Sequence, residues 1–307
     1  MAEHEKRDLV SIEDLSTAEI LELFHHADEF RANLLAWSDL CRGTIMATLF
    51  FEPSTRTRSS FQLAAKRLGA DTLNFNVATS SSSKGETAMD TMRNLEAMGV
   101  DCFVVRHAEN GAVASLAAGA RPHTRFINAG DGRSNHPTQG LLDMLTLRQR
   151  KGADFSRLKV LIAGDVKHSR VARSDLHALR ALGAGEIRVC GPASLLPEDD
   201  TLRGCVATQD FDAALDGVDA VMMLRLQRER MEEGLVPSLE QYFRDYGLTP
   251  ERLRRAKPDA IVMHPGPMNR GVEISDAVAD GPQSVILDQV SNGVAVRMAV
   301  MRALLAD

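Results

Sequence analysis

The sequence predicts an α/β protein of two domains, each built on a mainly parallel sheet flanked by helices. Three observations carry that expectation. Short apolar, often β-branched runs alternate with stretches of helical periodicity along the chain. The length, 307 residues, is twice the ~150 residues expected of one domain. Between a helical stretch and a new apolar run, residues 151–156 form a polar break with one glycine. The boundary is placed there, giving domains at 1–150 and 151–289 and a terminal helix at 290–307.

In the first domain the expected strands are 44–51, 72–77, 101–106 and 125–128. The helices between them are 55–68, 86–98, where Met89, Met92, Leu95 and Met98 share one face, 112–118 and 137–150. In the second domain the strands are 159–163, 186–190, 220–224, 260–264 and 284–287, and the helices 171–182, 238–246 and 250–256. The last stretch, 290–305, is apolar and rich in helix formers.

Composition narrows the function. Hydrophobic residues at 44% and charged ones at 25% are ordinary for a soluble globular chain. No apolar run approaches the ~20 residues of a membrane span, and residues 1–8 lack the apolar core of a secretory signal, so no membrane role and a cytoplasmic location are expected. Lys and Arg total 36 against 42 Asp and Glu, a net charge of -6, which disfavours nucleic acid as a partner. Cys41, Cys102, Cys190 and Cys205 include no C-x-x-C pair and read as small core residues. No H-x-x-x-H spacing on an expected helix signals a metal. No P-loop occurs, and Ala163-Gly164-Asp165 lacks the glycine spacing of a dinucleotide site, so no cofactor is expected.

The chemistry concentrates at strand ends. Phe51-Glu52-Pro53-Ser54-Thr55-Arg56-Thr57-Arg58 lies between a strand and a helix. Pro53 stops the strand and Ser54 is a favoured N-cap. The N–H groups of Thr55, Arg56 and Thr57 then face outward from a helix N-terminus, and hydroxyls and guanidinia beside them suit a phosphate dianion. The structural alternative, a capped helix with surface arginines, fits a Ser-Thr pair less well once two arginines join it at the carboxyl end of a strand. Arg106 ends another strand and His136 follows a fourth, so both belong on the same sheet edge. His107, His168 and His177 read as structural. Residues 79–86 have the composition of a flexible surface loop, yet a single Lys84 there, with Gly85 as hinge, could also deliver charge to an anionic substrate as a lid does. In the second domain Arg170 and Arg225 follow separate strands and could each bind a carboxylate. Arg228 and Arg230 read as solvated. The Pro265-Gly266-Pro267 turn offers mainly backbone carbonyls.

With these motifs quoted, the chain resembles the aspartate and ornithine carbamoyltransferases. The segment 51–57, Lys84-Gly85-Glu86-Thr87, Arg106-His107, His136-Pro137-Thr138-Gln139, Arg170, Arg225-Leu226-Gln227 and His264-Pro265-Gly266-Pro267 come in family order with family-like separations. The resemblance runs from Gly43 to the C-terminus and is weaker before it. It implies a carbamoyl-phosphate domain, an aspartate domain and a C-terminal helix returning to the first. It assigns Ser54, Thr55, Arg56, Thr57 and Arg106 to the phosphate, and Thr55, Arg56, Arg106 and His136 to the carbamoyl group. Gln139 and the Pro265 and Gly266 carbonyls fall to its NH2, Arg170, Arg225 and Gln227 to aspartate, and Pro267 is counted with the substrate-binding residues. The residues implied as catalytic are Arg56, Thr57, Lys84, Arg106 and His136. It further implies a homotrimer with shared active sites, Ser80 and Lys84 reaching into the neighbouring subunit, and no metal or cofactor. Regulatory chains or a dihydroorotase as further partners stay open. Ornithine-specific relatives carry a Cys in the motif at 264–267, so aspartate is favoured over ornithine. A non-catalytic scaffold subunit should have lost charged site residues, and none is missing. Gly266 stands where some relatives have a larger side chain.

Overall fold

A computed structural model describes residues 8–34, 36–76, 86–227 and 238–306. The chain divides into two compact units, Met1–Leu141 with Asn292–Asp307, and Leu142–Ser291.

Unit 1 opens on α1, Thr17–Ala32, which begins at a capping box between Ser16 and Glu19. There follow β1 (Ile45–Phe50), α2 (Thr55–Leu68), β2 (Asp71–Asn76), α3 (Ala88–Ala97), β3 (Cys102–His107), α4 (Ala112–Ala118) and β4 (Arg125–Asp131). The four strands order as β2-β1-β3-β4, every pairing parallel. The inner strands β1 and β3 are buried over most of their length and read as near-continuous apolar runs, whereas the edge strand β2 alternates polar residues with Leu73 and Phe75 and is largely exposed. Ala47, Leu49, Phe103, Val105 and Phe126 pack with Met92 and Leu95 of α3 in one core. Met98 departs from the expected face: α3 stops at Ala97, and Met98 is its C-cap, 74% exposed. The turn out of α2 needs Gly69, at φ 81°, because a Cβ there would lie 1.9 Å from the Ser38 carbonyl oxygen.

Two helices cross the division between units, α5 (Pro137–Lys151) and the last helix of the chain, Ile286–Leu305. The end of that last helix is tied within unit 1. Arg302 lies 3.3 Å from Glu29 of α1, Arg125 donates to the Leu304 carbonyl at 3.3 Å, and Arg297 sits 4.9 Å over the Phe61 ring.

Unit 2 holds β5 (Lys159–Ala163), α6 (Arg170–Ala181), β6 (Glu186–Cys190), β7 (Val206–Thr208), α7 (Phe211–Leu215), β8 (Ala220–Met223), α8 (Leu239–Tyr246), α9 (Pro250–Leu253), β9 (Ile261–Met263) and α10 (Asp276–Ala279), with Ile286–Leu305 as α11. Its sheet runs β7-β6-β5-β8-β9, again all parallel. The strand expected at 284–287 does not form. Ser284 and Val285 bridge Val262 only briefly, and α11 begins at Ile286. Four apolar-leaning residues before a long helical pattern cannot be told from the helix's own first turn. No helix among the described residues is long and apolar enough to cross a membrane.

Candidate active site

In unit 1 the strand order reverses between β1 and β3, which stand side by side while the chain leaves them toward β2 and β4. Open α/β sheets bind ligands at carboxyl ends beside such a reversal. Phe50, the last residue of β1, is in register with Arg106 of β3. Ser54 takes the N-cap of α2 as expected, but at φ -160° and ψ 89° its side chain makes no capping hydrogen bond. The first-turn N–H groups therefore receive nothing from the cap, the condition in which a helix N-terminus attracts an anion. Ser54 and Thr57 are half-buried, and Thr55 and Arg56 exposed. The motif's second arginine, Arg58, is used in packing: its guanidinium lies 5.0 Å over the Phe50 ring.

Arg106 is held in place from two sides. Its Nη1 donates to the Ala129 carbonyl of β4 at 3.1 Å, and its Nε lies 3.4 Å from Glu52 Oε2. Those contacts orient the planar fork at the end of β3. After β4 the chain turns tightly: the Asp131 N–H donates to the Asn135 carbonyl at 3.0 Å, and Asp131 Oδ2 accepts the Gly111 N–H at 2.9 Å. That turn delivers His136 to the start of α5, where its carbonyl accepts the Gln139 N–H at 2.9 Å. His136 and Gln139 are both buried. So Ser54, Thr55, Arg56, Thr57, Arg106, His136 and Gln139 lie at or just past the carboxyl ends of three adjacent strands. His107 stays structural, its Nδ1 accepting the Glu109 N–H at 3.0 Å and its ring 4.9 Å from Phe51.

In unit 2 the reversal lies between β5 and β8. Beyond β5, Gly164 at φ 124° passes so close to the exit of β8 that a Cβ would lie 2.9 Å from the Leu224 carbonyl oxygen. Arg170 heads α6 behind Ser169, whose Oγ accepts the Ala172 N–H at 3.1 Å, and it is 4% exposed. Arg225 and Gln227 follow β8 half-buried. Pro265 and Gly266 follow β9 half-buried with Pro267 exposed, the Gly266–Pro267 bond is cis, and Gly266 sits at φ 59°. That left-handed backbone suits a glycine, which has no Cβ. Ser80, Lys84, Arg228 and Arg230 lie outside the described residues.

Two carboxylates were missed in the sequence. Asp165 is fully buried, its Oδ1 lies 2.8 Å from His168 Nδ1, and its Oδ2 accepts the Gln227 N–H at 3.3 Å, tying the segment after β5 to the one after β8. Burial pushes its pKa up, while His168 beside it pulls the other way. Its signal was the segment from Gly164 to Arg170 directly after a strand, from which the sequence reading takes only Arg170 as a binding residue. Glu273 is equally buried and lies against His264. Cys41 and Cys190 are buried, and burial pushes the Cys41 thiol up to about 11 and that of Cys190 to about 12, away from nucleophilic thiolate.

Two strand-end surfaces, one rich in hydroxyls, guanidinia and helix N–H groups and one with two arginines and a turn of carbonyls, have counterparts among known proteins. Residues 7–149 match the aspartate/ornithine carbamoyltransferase, carbamoyl-P binding domain, and residues 156–304 the Asp/Orn binding domain of the same enzymes. The chain belongs to the aspartate/ornithine carbamoyltransferase family. It is 69% identical over 302 residues to an aspartate carbamoyltransferase catalytic subunit of Xanthomonas campestris pv. campestris (strain B100), covering 97% of this chain and 96% of that one. It is 68% identical over 303 residues to the catalytic subunit from Stenotrophomonas maltophilia (strain K279a), with the same coverage. Among solved structures, aspartate transcarbamoylase from Trypanosoma cruzi in complex with N-(phosphonacetyl)-L-aspartic acid aligns with a TM-score of 0.89 at 33% identity, covering 100% of this chain and 98% of that chain. Ornithine carbamoyltransferase from Thermus thermophilus aligns at 0.86 and 26% identity, covering 97% and 98%. The carbamoyltransferase match begins at residue 7, so the segment before Gly43 belongs to it as well.

Proposed function

We propose that this chain transfers the carbamoyl group of carbamoyl phosphate to the α-amino group of L-aspartate, giving N-carbamoyl-L-aspartate and phosphate. One contrast supports the choice of amine: 69% identity to an aspartate carbamoyltransferase catalytic subunit against 26% to an ornithine carbamoyltransferase of the same fold.

The amine nitrogen attacks the carbamoyl carbon, a C–N bond forms, and the C–O bond to phosphorus breaks with its electron pair leaving on phosphate. Negative charge builds on the carbonyl oxygen during attack, so donors preset there lower the barrier; Thr55, Arg106 and His136 take that role, each worth ~3 kcal/mol. Ser54, Thr55, Arg56, Thr57 and Arg106 hold the phosphate, whose charge is then compensated as it leaves. Gln139 and the Pro265 and Gly266 carbonyls accept from the carbamoyl NH2. Arg170, Arg225 and Gln227 hold the aspartate. Both substrates are anions that repel each other, which accounts for a site made largely of cations. The departing phosphate takes the amine proton. Carbamoyl phosphate is a mixed anhydride, already activated, so the step calls on no cofactor.

The same reading makes the enzyme a cytoplasmic homotrimer in pyrimidine biosynthesis, with Ser80 and Lys84 serving the neighbouring subunit's site. The test is phosphate release from carbamoyl phosphate with aspartate or ornithine as acceptor. Release with aspartate alone is expected. Release with ornithine alone would reassign the amine, and release with neither would leave a scaffold chain.

A further inference from the structure

Beneath the Pro265-Gly266-Pro267 turn lies a buried polar cluster made wholly of unit 2 residues. His264 follows β9 and is 1% exposed, and Glu273 is 0% exposed. His264 Nδ1 accepts the Gly266 N–H at 2.7 Å, and its Nε2 lies 3.2 Å from Glu273 Oε1. The same Glu273 oxygen accepts the Asn269 N–H at 2.5 Å. The His264 backbone N–H donates to Gln289 Oε1 at 2.9 Å, and Gln289 Nε2 donates to Asp143 Oδ1 at 2.7 Å.

These contacts fix one form of the ring. A nitrogen that accepts from a backbone N–H carries no proton, so the proton sits on Nε2 and points at Glu273. They also fix a direction. The Pro265–Gly266 peptide is planar, and in a trans peptide the N–H and the C=O point to opposite sides. Only the following bond, Gly266–Pro267, is cis. Holding the Gly266 N–H on the imidazole therefore turns the Pro265 carbonyl away from the buried cluster.

We propose that His264, with Glu273 fixing its tautomer, is a positioning residue that aims the Pro265 carbonyl at the substrate. It rests on the proposed function only in taking that carbonyl as the acceptor for the carbamoyl NH2. A polar cluster that merely satisfied its own buried groups would not care which ring nitrogen is replaced. A positioning role does.

The test uses the full-length protein and two substitutions. In His264→Asn the amide oxygen comes to the place of Nδ1 and can still accept the Gly266 N–H; in His264→Gln the amide reaches only the place of Nε2. Positioning predicts that His264→Asn keeps kcat/KM for carbamoyl phosphate within about tenfold of wild type, while His264→Gln loses at least ~100-fold with little change in the aspartate KM. Equal losses in both, or losses that simply follow Tm, would overturn it. Should His264→Asn fail to fold, Glu273→Gln and Glu273→Leu take its place: the amide still accepts the Nε2 proton and should retain activity, whereas Leu should not. A second readout needs no turnover. Imidazole 15N spectra of the wild type at the pH of the activity assay should show a protonated Nε2 and a bare Nδ1, and a protonated Nδ1 would refute the clamp. A wild type with this tautomer but no carbamoyl transfer would refute the proposed function and leave the clamp standing.

Discussion

Arg56 stands exposed in the first turn of α2, beside an N-cap whose side chain makes no capping bond. If the phosphate docks there, Arg56→Ala removes charge that acts in ground and transition states alike, and kcat/KM should fall by more than ~3 kcal/mol with Tm unchanged. A variant keeping more than a tenth of wild-type activity would end that assignment. Arg225→Ala probes the other surface: the aspartate KM should rise far more than the carbamoyl phosphate KM, and equal effects would contradict the separation of substrates between the units. Such residues were legible because a strand end, a proline stop and a favoured N-cap are local signals. Asp165 and Glu273 were not, since their meaning lies in hydrogen bonds to Gln227 and His264, and Asp165 and Gln227 are 62 residues apart in sequence. Arg58 shows the converse, a motif residue that the fold turned to stacking on Phe50.

At the scale of elements, strands 159–163 and 186–190 and helix 55–68 could be read to the residue: the first is a buried, mostly apolar run, the second sets Ile187 and Val189 in alternation with Glu186 and Arg188, and Gly69 marks the helix end. The strand expected at 284–287 failed because a short apolar run cannot be told from the first turn of α11, and α3 stops before Met98 because Gly99, at φ 95°, ends it. One pairing of elements has a pH signature. Asp143 of α5 and Asp175 of α6 are fully buried and meet carboxyl to carboxyl, while Gln289 of α11 donates to Asp143 at 2.7 Å. Burial first, then the charge of Asp143, raises the Asp175 pKa well above its ordinary 3.8. Asp175 therefore holds its proton when folded and gives it up when unfolded. A group with a raised folded pKa contributes stability that is complete below the unfolded value and is lost as pH rises through the folded one. In Asp175→Asn an amide N–H replaces the proton, so the variant's Tm should gain on that of the wild type as pH increases. A gap between the two melting curves that stays constant with pH would show that the carboxyls share no proton.

At the scale of the whole molecule, the proposed trimer makes a claim that no single-chain measurement reaches: Lys84 serves a site whose Arg56 belongs to another subunit. Lys84 lies outside the described residues, so the claim rests on the family resemblance, and subunit exchange can test it. Lys84→Gln and Arg56→Ala are each expected to be inactive. Let the two exchange subunits under mild dissociating conditions. In a cyclic trimer with shared sites, each site draws Arg56 from one chain and Lys84 from the next. Going once around any mixed trimer, an Arg56-competent chain meets a Lys84-competent neighbour in the required order only once, so one site has both residues native. Random 1:1 mixing makes about three quarters of the trimers mixed, and one native site in three then restores roughly one quarter of wild-type activity. Were Lys84 to act within its own subunit, every site in every mixture would still lack one of the two residues. Mixed trimers, identified by mass, that are no more active than their parents would sink the shared site and with it the reason for the enzyme to be an obligate oligomer.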